Sequence, residues 1–354
     1  MLNYLKYGMT GQVIWAITNV CNAKCSFCSY PDGKGGEPCH VDLATARKVL
    51  DMLYQRNLRI ISFTGGEPLL NPDVYPIIRY AVDKGFITRT GTNGSALNPV
   101  TIEKLKQSGI RNIWISLDSE DAALHDKNRG IPGLTAHIRE MVPLMKQAGL
   151  RVNAAAPVNK LIGDWRAFLS HVRSLGLDTV AFCYPMTAMA ASYGGAAASS
   201  LVEFTPEELL KALQEIKELK ERPYEGVRII NPAAGLEEMM RFQAGEAAKF
   251  PCLGGYKFFY LDWKLTLYRC AFLAENFGNV LELGDRTFPP SDCNRCMWQC
   301  FRDPSVFYHI PLKFHRLATG GLSSAAGNLG GLFGQSSRVS GKAWLDLVRD
   351  NFYA

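Results

Sequence analysis

VIWAITNVCNAKCSFCSY, residues 13–30, runs from an apolar stretch straight into a loop that carries three cysteines, Cys21, Cys25 and Cys28. Val13–Thr18 reads as a buried strand, because it is short, apolar and rich in β-branched residues. The loop spacing is C-x3-C-x2-C. Structural zinc takes four ligands, usually as paired C-x2-C hooks. Here three thiols stand together, and Cys39 follows only after a Gly-rich turn. A soft thiolate set in a reducing compartment suits zinc or an iron–sulfur cluster. A four-iron cluster on three thiolates keeps one iron open for an outside chelating ligand.

The same strand-then-loop pattern recurs downstream. IISFTGG (60–66), FITRTGTN (86–93), NIWISLDS (112–119), RVNAAAPV (151–158) and TVAFCY (179–184) read as strands. Helical periodicity fills 42–56, 74–84, 101–108, 134–148, 164–175 and 206–222. Asp42, Asn71-Pro72, Asn98-Pro99 and Thr205-Pro206 supply helix starts. Gly85, Gly109, Gly149 and Gly176 follow helix ends. Such alternation means parallel strands with helical crossovers. Six units are too few to close an eight-stranded barrel, so the expected fold is α/β, a partial (β/α)6 TIM-like barrel. Its active site belongs at the carboxyl ends of the strands.

The whole chain has 354 residues, 47% hydrophobic and 20% charged. That is enough for one large domain with an appendage and argues against global disorder. The net charge of +6 is diffuse and does not imply nucleic acid. No apolar run is long enough for a membrane span or a signal-peptide core, so the expected location is cytoplasmic. In that compartment the ten cysteines are expected to hold metal or do redox work rather than form disulfides.

CNAKCSFCSY resembles the signature loop of the radical S-adenosylmethionine (SAM) enzymes. The resemblance implies that Cys21, Cys25 and Cys28 hold a 4Fe–4S cluster whose open iron chelates SAM, with Phe27 and Tyr30 against the adenine. It extends over about 12–225. TGGEP ends the second strand, and its Gly65, Gly66, Glu67 and Pro68 resemble the motif that contacts the SAM amino group. On the residues alone, the glycines admit a close ligand and Glu67 accepts from a cationic amine. Thr92 and Asn93 in GTNG are expected at the same mouth. Ser116 and Asp118, alternating with apolar neighbours, face inward. The resemblance implies contacts from them to the SAM carboxylate and ribose, with Asn153 as a similar candidate. HDKNRG resembles the family's segment after strand 4, where Arg129 pairs with the SAM carboxylate or with a nearby acid. The implied chemistry is reductive SAM cleavage to a 5′-deoxyadenosyl radical, which takes hydrogen from an unactivated C–H bond.

A second cysteine group follows. Cys252 and Cys270 bracket an aromatic hairpin, and Cys293, Cys296 and Cys300 come after FGNV. This resembles the auxiliary-cluster extension called SPASM, or twitch in its short form. Lys264 stands where that family usually has Gly, and five cysteines suffice for one auxiliary 4Fe–4S cluster only. Cys252 and Cys270 are implied ligands, joined by two of Cys293, Cys296 and Cys300. A zinc ribbon on Cys252, Cys270, Cys293 and Cys296 is the alternative. Cys183, at the end of strand 6, is either a hydrogen-atom donor or a small buried residue.

The expected division is 1–225 barrel, 226–305 Cys-rich β-hairpin domain, and 306–354 Gly/Ser-rich tail or lid ending in a short helix at 342–351. The expected substrate is a small biosynthetic intermediate undergoing oxidation or rearrangement. An electron donor such as flavodoxin or ferredoxin is the expected partner. The alternatives are a peptide maturase, which the lack of a preceding winged-helix-like module disfavours, and a zinc-stabilised scaffold protein.

Overall fold

A computed structural model describes residues 9–30, 36–187, 189–193, 199–289, 293–319 and 334–349. Six parallel strands lie side by side in chain order. They are β1 (Gly11–Ala16), β2 (Leu58–Thr64), β3 (Ile87–Thr92), β4 (Asn112–Ser116), β5 (Arg151–Pro157) and β6 (Thr179–Cys183). The helices after them are α1 (Leu43–Gln55), α2 (Val74–Asp83), α3 (Pro99–Ser108), α4 (Ala122–Arg129), α5 (Leu134–Gln147), α6 (Trp165–Ser174) and α7 (Pro206–Glu221).

The expected starts form as their side chains dictate. Asp42 accepts from the Thr45 amide, Asn98 and Thr101 bond reciprocally, and so do Thr205 and Glu208. Asn71 does something else. Its Nδ2 donates to the Ile17 and Val41 carbonyls, which fixes the exit of β1. Along β5, Val152, Ala154 and Ala156 are buried while Arg151, Asn153, Ala155 and Pro157 are half-buried. The buried set packs beneath the helices and the other faces inward.

The sheet does not stop at β6. β7 (Arg228–Ile229) adds to β6, and β8 (Phe258–Leu261) adds parallel to β1. β9 (Thr266–Tyr268) and β10 (Asn276–Asn279) extend it antiparallel, giving a ten-stranded sheet. The expected boundary at 225/226 therefore cuts a continuous sheet. One core also crosses it, taking in Trp15 and Phe63 together with Phe258 and Phe301.

Two further expectations change. Residues 306–319 are not tail but belong to α9 (Gln299–Thr319), after α8 (Ala233–Gln243). Pro304 and Pro311 lie inside α9, and such residues ordinarily argue against a helix. The last helix, α10 (Gln335–Arg349), begins before 342, and residues 320–333 of the expected lid lie outside the described residues. The start of α9 spans the open side of the barrel. Gln12 Nε2 donates to the Cys300 carbonyl at 2.9 Å, the Tyr184 amide to Gln299 Oε1 at 3.0 Å, and Asn231 Nδ2 to Asp303 Oδ2 at 3.2 Å.

Candidate active site

The three-cysteine loop leaves the carboxyl end of β1 and is clamped by the end of β2. The Gly66 amide donates to the Thr18 carbonyl at 3.0 Å, and the Glu67 amide to the Val20 carbonyl at 2.8 Å. A Cβ on Gly65 or Gly66 would collide with the carbonyl oxygens of Thr18 or Val20. The close approach these glycines permit is thus that of the chain's own loop. Gly66→Ala is expected to displace the loop and lower the iron bound after reconstitution by more than half, with the fold retained by circular dichroism. Unchanged iron content would refute this.

Glu67 is 1% exposed. Its Oε1 accepts from Thr92 Oγ1 at 2.8 Å and the Leu69 amide at 3.1 Å, and Oε2 from the Asn93 amide at 2.7 Å. Burial pushes its carboxyl up, opposed by these three donors and by Arg129. Glu67 therefore ties the ends of β2 and β3 together and caps the short turn Pro68–Leu70. Thr92 and Asn93 turn back to it instead of standing free at the mouth. Asn93 Nδ2 also donates to Asn22 Oδ1 at 2.9 Å, inside the cysteine loop.

The other side of the loop rests on α4. Asp121 caps its start and Gly130, at φ 65, ends it, so Arg129 is its last residue. The Arg129 carbonyl accepts from the Lys24 amide at 2.8 Å. Asn128 Oδ1 accepts from Ser26 Oγ at 2.8 Å, and its Nδ2 donates to Asp118 Oδ2 at 2.8 Å. Arg129 grips Asp118 with two bonds, Nε–Oδ2 at 2.6 Å and Nη2–Oδ1 at 2.5 Å. Of the two roles expected for Arg129, the nearby acid is the one formed. Asp118 has both oxygens engaged and orients Arg129 rather than offering a free carboxylate. The Asp118 amide donates to His125 Nδ1 at 3.2 Å, and burial lowers that histidine to about 4, so it stays neutral. Asn22 and Asn128 were not singled out from the sequence. Asn128 stands inside HDKNRG, but asparagine in a loop or helix end carries no signal by itself.

Burial pushes the thiols of Cys21 and Cys28 up to about 11 and about 12, and raises Cys25, with Arg129 opposing each. Neutral thiols gain nothing from being gathered here, whereas a bound metal centre keeps them as thiolates. The donor set thus fits an iron–sulfur cluster. Phe27 is half-buried in the same loop. Tyr30 places its hydroxyl 3.0 Å from that of Tyr260 and its ring 5.9 Å from that of Trp263, docking the loop on the β8 hairpin. Ser116 is half-buried at the end of β4. Asn153 pairs with Trp114, one step below Ser116, and accepts from Thr179. It faces the amino end of the barrel, away from the cysteine loop.

The second cysteine group resolves into four plus one. Cys252, Cys270, Cys293 and Cys296 line one small cavity, walled by Phe272, Trp298 and Phe301. The Cys252 amide donates to the Cys293 carbonyl at 3.2 Å. Burial pushes Cys252 to about 12 and Cys270 to about 11, and raises Cys296. Cys300, one residue into α9, faces the barrel interior beside Cys183. Of the three cysteines from which two ligands were expected, Cys293 and Cys296 share this cavity with Cys252 and Cys270, and Cys300 stands apart from them. All ten cysteines are free thiols. Among the described residues, no three His, Cys, Asp or Glu side chains converge as a single-ion site requires. The hairpin turn also differs from expectation: Leu265, not Lys264, takes the positive φ, 65°, that glycine would favour. Asp262 Oδ1 holds the turn by accepting from the Lys264 and Thr266 amides.

A larger cavity, about 200 Å³, lies inside the barrel. Its wall runs from Thr64, just before the clamping glycines, to Gln299, three residues after Cys296, and includes Arg89, Trp114, Cys183, Cys300 and Asp303.

Residues 15–159 match the family model of the radical SAM superfamily. That stretch, which carries β1 to β5 and the first thiol loop, is similar to radical SAM proteins. That superfamily uses a 4Fe–4S cluster and SAM. The chain is 31% identical over 148 residues to an AdoMet-dependent heme synthase of Nitratidesulfovibrio vulgaris, covering 42% of this chain and 40% of that protein. It is 24% identical over 281 residues to an AdoMet-dependent heme synthase of Methanosarcina barkeri, covering 76% of this chain and 79% of the other. It thus spans about two fifths of the first relative's length and about four fifths of the second's. In fold it resembles Streptococcus suis SuiB bound to precursor peptide SuiA, with TM-score 0.58, 15% identity, and 79% and 65% of the two chains covered. Among the described residues, no helix is long and apolar enough to cross a membrane.

Proposed function

We propose that the chain is a radical SAM enzyme that oxidises or rearranges a small molecule held in the barrel cavity, assisted by one auxiliary 4Fe–4S cluster on Cys252, Cys270, Cys293 and Cys296. The observation that carries the reading is the cavity itself, whose wall reaches from the clamp of the first thiol loop to the neighbourhood of the second thiol set. When loaded, the first cluster and SAM supply a 5′-deoxyadenosyl radical. The chain's residues do the rest. Glu67, Asn22 and Asn128 hold the loop in one geometry, as a positioned cofactor demands. Arg129 sets a fixed positive charge against Cys25. Tyr30, Tyr260 and Trp263 cover the loop and limit water. Arg302, 3% exposed and paired with Glu238, places a cation near Cys252 and Cys296. Flavodoxin or ferredoxin is the proposed electron source.

The relatives' names make heme synthesis a candidate reaction. A tetrapyrrole bearing several carboxylates calls for several cations, and among the described residues lining this cavity Arg89 is the single one. A smaller substrate with less negative charge suits it better.

The test is anaerobic reconstitution with iron and sulfide, then incubation with SAM and a reductant. The expected result is roughly eight irons and eight sulfides per chain, for two cubane clusters. 5′-Deoxyadenosine should form with the unaltered protein and not with Cys25→Ala. Zinc without sulfide, or Cys25→Ala cleaving SAM normally, overturns the reading.

A further inference from the structure

We propose that the barrel cavity takes a small monocarboxylate, seated on Arg89, with its hydrocarbon body in the space beside Gly91. The inference deepens the reading of this cavity as the substrate chamber and rests on it. Arg89 and Gly91 lie two residues apart on the half-buried face of β3, and both line the chamber. Arg89 Nη2 donates to Gln12 Oε1 at 2.9 Å and its Nε to Ser62 Oγ. Gln12 in turn holds the Cys300 carbonyl, and the Arg89 charge acts on the Cys300 thiol. The guanidinium thus reaches from β3 across β2 towards β1 and the start of α9, whose Gln299, Cys300 and Phe307 line the same space.

Both partners of Arg89 are neutral. They fix its orientation and leave its charge unmet, for among the described residues it has no ion pair. Two buried arginines elsewhere each have an acid, Asp118 for Arg129 and Glu238 for Arg302. A cation withdrawn from water without a counter-charge is costly, so its anion comes with the ligand. Of the five N–H donors in a guanidinium, Gln12 and Ser62 take two, and the planar group that remains open matches a carboxylate. Asp303, the single acid among the described residues of the wall, does not supply that charge. Its Oδ2 accepts from Asn231 Nδ2, its Oδ1 packs against Gly235 in the first turn of α8, and the cations that act on it are Lys220 and Arg302. Gly91 supplies the room, since a Cβ there would meet nothing within 4 Å. Ile14, Trp114, Ala155 and Ala181 make much of the remaining wall apolar, which suits a hydrocarbon body. Arg89 precedes Gly91 on β3, so a carboxylate on Arg89 directs that body to the carboxyl ends of the strands, where the first thiol loop stands.

The experiment uses anaerobically reconstituted protein with SAM and no reductant, and three probes of one chain length: hexanoate, hexanamide and hexylammonium. Calorimetry measures binding. Hexanoate is expected to bind about tenfold tighter than hexanamide, the gain of a charge-assisted bond over a neutral one. Arg89→Met should erase that preference and leave the affinity for SAM unchanged. Gly91→Val should weaken both probes by one factor and keep their ratio, because it fills the room for the body and not the seat. Equal binding of hexanoate and hexanamide, tightest binding by hexylammonium, or undiminished hexanoate binding in Gly91→Val overturns the proposal. So does loss of SAM affinity in Arg89→Met, which would make Arg89 a SAM contact. If Arg89→Met does not fold, the ranking on the unaltered protein and Gly91→Val decide. No SAM is cleaved in this assay, so failure here is separate from failure to form 5′-deoxyadenosine.

Discussion

Arg129→Met is expected to destabilise the protein by about 3–5 kcal/mol, the range for removing one partner of a buried ion pair. Asp118 is 0% exposed and Arg129 8%, so little solvent reaches the pair. The loss is large because Asp118 is not the sole acid left behind: the same guanidinium also eases the charge of Glu67 and of the Cys25 thiolate. Methionine keeps much of the volume, so the effect reads charge and hydrogen bonding more than a cavity. Urea unfolding of the reconstituted variant measures the first part, and iron content the second, which should fall with it. Asp118→Asn in the Arg129→Met background should recover part of the stability, since it removes the stranded carboxylate. A midpoint unchanged from the parent would show that the pair is not what holds α4 against the cysteine loop.

The six strands of residues 11–183 and most of the helices between and after them were legible because each carries its own signal, while α4 (Ala122–Arg129) was not read as a helix. Alternating burial, a capping side chain and a helix-ending glycine all act within a few residues of one another. The chemistry of the first loop was legible from spacing and resemblance alone. Its support was not. Glu67 meets Thr92 and Asn93, about 25 residues along the chain, only after β2 and β3 pair, and no local pattern announces that. The glycines of TGGEP invited a ligand in the sequence, yet the neighbour they admit is the backbone of Thr18 and Val20. The C-terminal part was misjudged where two local rules gave way to packing. Residues 306–319 were read with the Gly- and Ser-rich tail, yet they continue a helix whose start is held by Gln12, Tyr184 and Asn231. The hairpin was read as the start of a separate domain because nothing in FFYL states that it pairs with β1.

The reassignment of Cys300 leads to the sharpest contrast among the cysteine variants. The spacing from Cys293 to Cys296 to Cys300 allows any two of the three to serve a cluster, and geometry breaks the tie. Cys296 shares a cavity with Cys252, Cys270 and Cys293, whereas Cys300 begins a helix whose inner face looks into the barrel. Cys296→Ala is therefore expected to lose roughly half of the bound iron, one cubane of two. It should still form 5′-deoxyadenosine while releasing no altered substrate, because the first thiol loop is untouched. Cys300→Ala should retain the full iron and sulfide complement. Its thiol is buried and pushed up to about 11, so it stays a neutral, weakly bonding group whose loss costs the fold little. Iron and sulfide assays with electron paramagnetic resonance of the reduced proteins distinguish the two. Two overlapping cluster signals in Cys300→Ala and one in Cys296→Ala is the expected pattern. The reverse pattern would move the fourth auxiliary ligand to Cys300, and with it would go the argument that α9 keeps its inner face for the substrate.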